Sequence, residues 1–184
     1  MDPITDRTLV RISKRLSRHL RHAPHEIGLR LDPAGWVSVD ELLAALAAHG
    51  PPVTRAELDE VVAGSDKQRF VVDGDRIRAQ QGHSVPVDLG LAAVEPPPVL
   101  FHGTARSSLD AIRREGLRPM RRHAVHLSTT EETARRVGAR HGAPVVLRVD
   151  AAALHAAGHE FRVSGNGVWL TDSVPPGFLT RLSS

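Results

Sequence analysis

Glu95-Pro96-Pro97-Pro98-Val99-Leu100-Phe101-His102-Gly103-Thr104 is the stretch that divides the chain. Proline fixes φ and donates no backbone hydrogen bond, so three in a row cannot sit inside a helix or a central strand. The apolar run Val99–His102 that follows reads as a strand, and Thr104 can cap a helix that Gly116 ends. Before the prolines, residues 80–94 show weak periodicity and read as a connection. The organisation expected is one lobe over 1–85, a linker over 86–98 and a second lobe over 99–184.

In the first lobe a helix is predicted over 6–22, with Leu9, Ile12, Leu16 and Leu20 on one face. Arg11, Lys14, Arg15, Arg18 and His22 fall on the opposite face, and Pro24 stops the helix. A strand near 36–39 leads to a helix whose start resembles a capping box, Ser38 with Glu41, and Thr54 with Glu57 opens another that ends near Gly64. Residues 69–72 and 75–79 flank Asp73-Gly74 and read as a hairpin. Three helices and a terminal hairpin give a winged-helix outline.

The second lobe alternates short elements: a strand at 124–128, a helix opened by Thr129 with Glu132, an apolar strand at 145–150, and strands near 160–163, 168–171 and 178–182. Many short strands with few helices indicate an α+β fold. No G-x-G-x-x-G follows a strand, which argues against a doubly wound dinucleotide site.

The chain has 184 residues, no cysteine and 3% aromatic residues. Disulfides, thiol catalysis and cysteine-bound zinc are therefore excluded, and aliphatic side chains must fill the cores. The first residues lack a basic-then-apolar leader pattern, and no apolar run reaches the ~20 residues of a membrane span. A soluble, cytoplasmic protein is expected. Net charge is only +3, but it is unevenly spread. Arg7, Arg11, Lys14, Arg15, Arg18, Arg21 and Arg30 cluster early, and Arg113, Arg114, Arg118, Arg121 and Arg122 form a second group. Such patches suit a polyanion or a phosphate-bearing ligand, though solvated helix faces explain them equally well.

Among candidate groups, His102-Gly103-Thr104 offers neutral donors and acceptors where glycine lets a ligand approach the backbone. His126, alternating with aliphatics in Val125-His126-Leu127-Ser128, reads as a core or edge histidine, and hairpin chemistry alone explains Gly165-Asn166-Gly167. Arg21-His22, Lys67 with Arg69, and Arg121-Arg122 each read, in isolation, as surface cations. The sequence contains no Walker A loop, no nucleophile elbow and no H-E-x-x-H, so no metal is expected.

Taken in order, these fragments resemble the RNA 2′-phosphotransferases of the transfer-RNA type. The resemblance runs through Leu20-Arg21-His22-Ala23-Pro24, Gly35-Trp36-Val37, Ser65-Asp66-Lys67-Gln68-Arg69-Phe70, Gly82-His83-Ser84 and His102-Gly103-Thr104. It continues through His126-Leu127-Ser128, Val137-Gly138-Ala139-Arg140-His141-Gly142 and Asn166-Gly167-Val168-Trp169-Leu170. It implies an N-terminal winged-helix lobe that holds RNA and a C-terminal ADP-ribosyltransferase-like lobe that holds NAD⁺. The implied catalytic set is Arg21, His22, Arg69 and Arg122, with Arg21, Lys67, Arg69 and Arg122 on RNA phosphate. Arg18-His19 is a second Arg-His pair one turn earlier, and Pro24 selects the later one. Arg121 adjoins Arg122, and alignment on Pro119-Met120 and Val125-His126 favours Arg122. His102, Gly103, Thr104, Ser128, Arg140, Gly142, Gly167, Val168, Trp169 and Leu170 are implied to shape the NAD⁺ cleft.

The implied reaction has two steps. The RNA 2′-phosphate displaces nicotinamide from NAD⁺, giving ADP-ribosylated RNA. The ribose 2″-hydroxyl then attacks phosphorus, releasing 2′-hydroxyl RNA and ADP-ribose 1″,2″-cyclic phosphate. The nucleophile of the first step is already an anion and needs no general base, whereas bidentate arginines suit the charge that builds in the second. Transfer-RNA splicing and RNA repair are the implied settings, and a monomer is expected. Two other readings remain: a transferase that caps terminal phosphates and stops after the first step, and a winged-helix regulator without activity.

Overall fold

A computed structural model describes residues 3–65 and 67–182; Asp66, in the Ser65–Phe70 motif, lies outside the described residues. The chain falls into two units, Met1–Gly90 and Leu91–Ser184. Each has a separate, almost wholly aliphatic core, to which phenylalanine contributes only Phe70 in the first unit and Phe161 and Phe178 in the second.

The first unit contains α1 (Pro3–Arg21), α2 (Val39–Ala48) and α3 (Arg55–Ala63), with β1 (Val37–Ser38), β2 (Phe70–Asp73) and β3 (Arg76–Ala79). Its sheet is antiparallel in the order β1-β3-β2. Ile12, Leu16 and Leu20 of α1 are buried in the core with Leu42, Leu46, Leu58 and Ile77, as the helical period requires. Thr54 and Glu57 form the full reciprocal capping box, and Ser38 accepts from the Glu41 amide. The opposite face of α1 is less available to a polyanion than the sequence suggests. Arg15 donates to the carbonyls of Leu46 and Pro51, and Arg18 binds Glu26 through two 2.6 Å bonds. The hairpin turn is one residue later than expected. Asp73 pairs with Arg76, so the two-residue loop is Gly74-Asp75, with positive φ at Gly74 alone, the glycine-first pattern that matches strand twist.

The second unit contains β4 (Val99–Ala105), α4 (Leu109–Glu115), β5 (Val125–Leu127), α5 (Glu131–Ala139), β6 (Pro144–Asp150), α6 (Ala151–Ala156), β7 (Phe161–Val163), β8 (Trp169–Thr171) and β9 (Leu179–Arg181). Two antiparallel sheets result, β4-β6-β9 and β5-β8-β7. They are tied by the Phe101–Ser128 bridge, in which each amide donates to the other's carbonyl at 2.8 Å. With helices and small antiparallel sheets, the fold is α+β.

Three expectations need correction here. His102-Gly103-Thr104 is not a strand–helix turn: β4 runs on to Ala105, paired with β6 from Val99↔Asp150 to Ala105↔Pro144. Thr104 therefore caps nothing, and a 3-10 turn, Arg106–Ser108, precedes α4, which Gly116 does end. Helix α5 is capped by Thr130 and not Thr129, because Thr130 has the extended backbone and accepts from the Thr133 amide. Helix α6, unforeseen in an alanine-rich run, is capped by Asp150, which accepts from the Ala153 amide.

The contact that seats α5 on the sheet is made by backbone. A Cβ at Gly103 would lie 1.6 Å from the Ala134 carbonyl oxygen, and one at Gly138 would lie 2.7 Å from the Thr104 oxygen. Ala134 and Gly138 are four residues apart and so share one helix face. Gly103→Ala must push α5 off β4, and a loss of at least about 3 kcal/mol is expected in urea unfolding of this unit. Gly177, where an added Cβ meets nothing, is the control, and Gly177→Ala is expected to stay within about 0.5 kcal/mol.

Candidate active site

In the first unit, the segment after β3 gathers the candidate residues. The Gln80 amide donates to the Arg69 carbonyl (2.9 Å), and the Gln80 side-chain amide donates to the Gln68 carbonyl (3.0 Å). Gln68 has a φ of 40°, an uncommon left-handed conformation immediately before Arg69. Two residues after Gln80, Gly82 (φ 86°) passes the Arg21 guanidinium, whose nearest atom would be 3.6 Å from an added Cβ. Further on, the Ser84 and Val85 amides both donate to the Arg21 carbonyl, at 2.8 and 3.3 Å. Ser84 Oγ lies 2.9 Å from His22 Nδ1. Arg21, His22 and Arg69 are thus held along one short run, 80–85, and Lys67 is exposed two residues before Arg69.

The earlier Arg-His pair has other work. Arg18 is committed to Glu26, while His19 is buried with Nδ1 3.1 Å from the Ala23 carbonyl, closing the last turn of α1. The hydrogen bond from Arg18 also holds the Glu26 carboxyl below the usual range.

In the second unit, His102, His126 and Arg122 form a chain. His102 Nδ1 lies 3.0 Å from the His126 carbonyl oxygen. That oxygen can only accept, so Nδ1 carries the proton and Nε2 remains an acceptor. Burial pushes the His102 pKa down, outweighing the bond to His126, and nearby His141 lowers it further. Burial and His141 thus favour the neutral form of His102. Arg122 Nη1 lies 2.8 Å from His126 Nδ1, and since arginine only donates, that nitrogen accepts. The Arg122 pKa is lowered by partial desolvation, which strengthens its field without removing its charge.

The rest of the expected cleft is distributed around this chain. Ser128 pairs with Phe101, one residue before His102. Leu170 pairs with His126, and Trp169 with Leu127. Gly167 (φ 79°) and Val168 form a turn in which the Gly167 amide donates to the Ser164 carbonyl and Val168 exchanges bonds with Ser164. Arg140 caps α5, and Gly142 would place a Cβ 3.5 Å from Ala105, beyond Thr104 on β4.

His126, Gly138 and Ser84 have no role that is legible from the sequence. Alternation with aliphatics gives His126 the look of a core or edge residue; the same alternation puts it on the face opposite Val125 and Leu127, which are buried. Gly138 was legible as a glycine inside a helical pattern, a sign of close packing. Ser84 had no local signal. Among the described residues no cluster of three His, Cys, Asp or Glu could hold a metal, and no helix is long and apolar enough to cross a membrane. The depressed pKa of His102 has a measurable consequence. An NMR titration of its ring is expected to give a midpoint below the ordinary value of about 6.5. The unfolded chain then binds the proton first, so stability falls as pH drops below that ordinary value, and His102→Gln should weaken this dependence.

A profile of the family described as RNA 2′-phosphotransferase, Tpt1 / KptA family, matches residues 7–173. A Streptomyces griseus protein named "Probable RNA 2′-phosphotransferase" is 61% identical over 95% of this chain and 97% of its own length. One of the same name from Streptomyces coelicolor is 63% identical over 92% of this chain and 93% of its own length. Another, from Nostoc punctiforme, is 55% identical over 97% of this chain and its whole length. With that similarity extending through both units and every residue of the site described above, the chain belongs to the RNA 2′-phosphotransferase family of enzymes.

Proposed function

We propose that this protein removes an internal 2′-phosphate from RNA by an NAD⁺-dependent transfer, through ADP-ribosylated RNA, to give 2′-hydroxyl RNA, nicotinamide and ADP-ribose 1″,2″-cyclic phosphate. The observation that carries the reading is the run 80–85, which holds Arg21, His22 and Arg69 together in a chain of this family. Guanidinium and imidazole groups suit a phosphate dianion and the charge that builds on it during transfer.

The first unit is read as the winged-helix RNA lobe, because three helices precede an antiparallel hairpin. The second is read as the ADP-ribosyltransferase-like NAD⁺ lobe. Its residues fit such a ligand on two counts. Along β4 the backbone groups of successive residues point to opposite edges, and those of Phe101 go to Ser128. The N–H and C=O of Gly103 therefore point the same way, past the end of that bridge, where they complement a carboxamide. Neutral His102, with Nε2 as acceptor, suits a ribose hydroxyl. When bound, NAD⁺ supplies the ADP-ribosyl group that accepts the phosphate.

The other roles follow from chemistry. Arg21, Arg69 and Arg122 clamp the phosphate, Lys67 adds charge for the RNA, and His22 engages the 2″-hydroxyl or the phosphate in the second step. Thr104, Ser128, Arg140, Gly142, Gly167, Val168, Trp169 and Leu170 shape the cleft around the ligand.

A short RNA with one internal 2′-phosphate is expected to lose it only when NAD⁺ is added. Arg69→Ala and Arg122→Ala should slow the second step by roughly 10²-fold or more and let ADP-ribosylated RNA accumulate on a denaturing gel. Normal turnover by both variants, with no accumulation, would overturn the arginine roles.

A further inference from the structure

Gln80 has no part in the roles above, yet it is bonded to both residues that lead into β2. Its amide donates to the Arg69 carbonyl at 2.9 Å, and its side-chain nitrogen donates to the Gln68 carbonyl at 3.0 Å. A carbonyl oxygen only accepts, so the end of the Gln80 side chain that faces Gln68 is the NH₂ group. Gln68 is held on its other side as well, because its amide donates to the Ser65 carbonyl at 2.9 Å. Both main-chain groups of Gln68 are therefore engaged, and only its own φ and ψ lie between them. The φ that satisfies the two bonds is 40°, in the left-handed region.

A residue with a Cβ enters that region at a cost, and it stays there only where its surroundings over-determine the conformation. The ladder of β2 and β3 ends at Phe70↔Ala79. Beyond it two residues, Gln68 and Arg69, face the single residue Gln80, and the first of the two is left-handed. That is the geometry of a bulge, which kinks a strand and re-aims the side chain beside it. Phe70 is buried in the core, so alternation sends Arg69 to the opposite face, and the kink decides its direction there. The bond from the Gln80 side chain is exposed. Its net contribution to overall stability is therefore small, and its effect is local.

We infer that Gln80 is a positioning residue for Arg69: its side-chain amide holds Gln68 in the left-handed region, and the kink this creates sets where the Arg69 guanidinium stands. Gln80 touches no reacting atom and acts through the chain at Gln68 alone. That Arg69 then serves the phosphate rests on the reaction proposed above; the hold on Gln68 and Arg69 does not.

The test uses the full-length protein, ¹⁵N-labelled, and Gln80→Met, which keeps the length of the side chain and removes its donor. In the wild type the amide proton and Hα of Gln68 are expected to show a strong nuclear Overhauser contact, because positive φ brings them together. Gln80→Met should weaken that contact and shift the Arg69 Nε–Hε resonance. On 2′-phosphorylated RNA it should slow the second step by roughly tenfold, since a misplaced catalytic group loses rate steeply. KM for NAD⁺ and the melting temperature should stay unchanged. Adding Gln68→Gly to Gln80→Met should restore most of the rate, because glycine enters the left-handed region freely. In an Arg69→Ala background, Gln80→Met should cost nothing further. An unaltered Gln68 contact, Arg69 resonance or second-step rate in Gln80→Met overturns the inference. So does a lost rate that Gln68→Gly fails to restore or that recurs in Arg69→Ala, which would make Gln80 a contact of the RNA itself. If the wild type does not act on this RNA, the proposed reaction fails, while the two NMR signals still decide whether Gln80 sets Gln68 and Arg69.

Discussion

Where β4 crosses α5, backbone meets backbone: the space a Cβ of Gly103 would need holds the Ala134 carbonyl, and that of Gly138 holds the Thr104 oxygen. Neither a larger side chain nor a shifted helix satisfies both contacts. The crossing brings the loop after α5 to the end of β4, where His141 contributes to lowering the His102 pKa. It also sets one side of β4 against the helix, while the opposite face of Leu100 and Leu147 closes the core. His102 then has its ring placed by rigid elements, which is what a ligand-orienting group requires.

The first unit reaches a comparable result without a close glycine crossing. Its candidate residues sit at the end of α1 and at the start of β2, far apart in sequence, and the run after β3 joins them through main-chain hydrogen bonds. Main-chain bonds hold position without constraining side-chain type, so the same run can present Ser84 to His22 while Gly82 accommodates the Arg21 guanidinium. Charge is divided along α1 accordingly. Arg15 and Arg18 are engaged in structure, whereas Arg21 and His22 at the end of the helix meet the run 80–85.

What could be read from sequence was what local physics encodes. Thr54 with Glu57 announced α3, Gly116 ended α4, and the period of Leu16 and Leu20 identified the buried face of α1. What could not be read depended on partners remote in sequence. Gly103-Thr104 before a helical pattern has the same local signature as a strand–helix turn. Only the β6 partner, running to Pro144, reveals that the strand continues. Likewise, residues 80–94 have only weak periodicity, and the bonds from Ser84 and Val85 to Arg21 leave no trace in composition. Arg21, His22, Arg69 and Arg122 are distinguished only by the resemblance to a family, since each alone reads as a surface cation.

The destination of the phosphate defines the proposed reaction. An RNA carrying a ³²P label only in its internal 2′-phosphate, incubated with the protein and NAD⁺, decides this in one chromatogram. The label is expected to move into ADP-ribose 1″,2″-cyclic phosphate in step with nicotinamide release, with none appearing as inorganic phosphate. Label released as inorganic phosphate, with NAD⁺ unconsumed, would contradict it and make the protein a hydrolytic phosphatase.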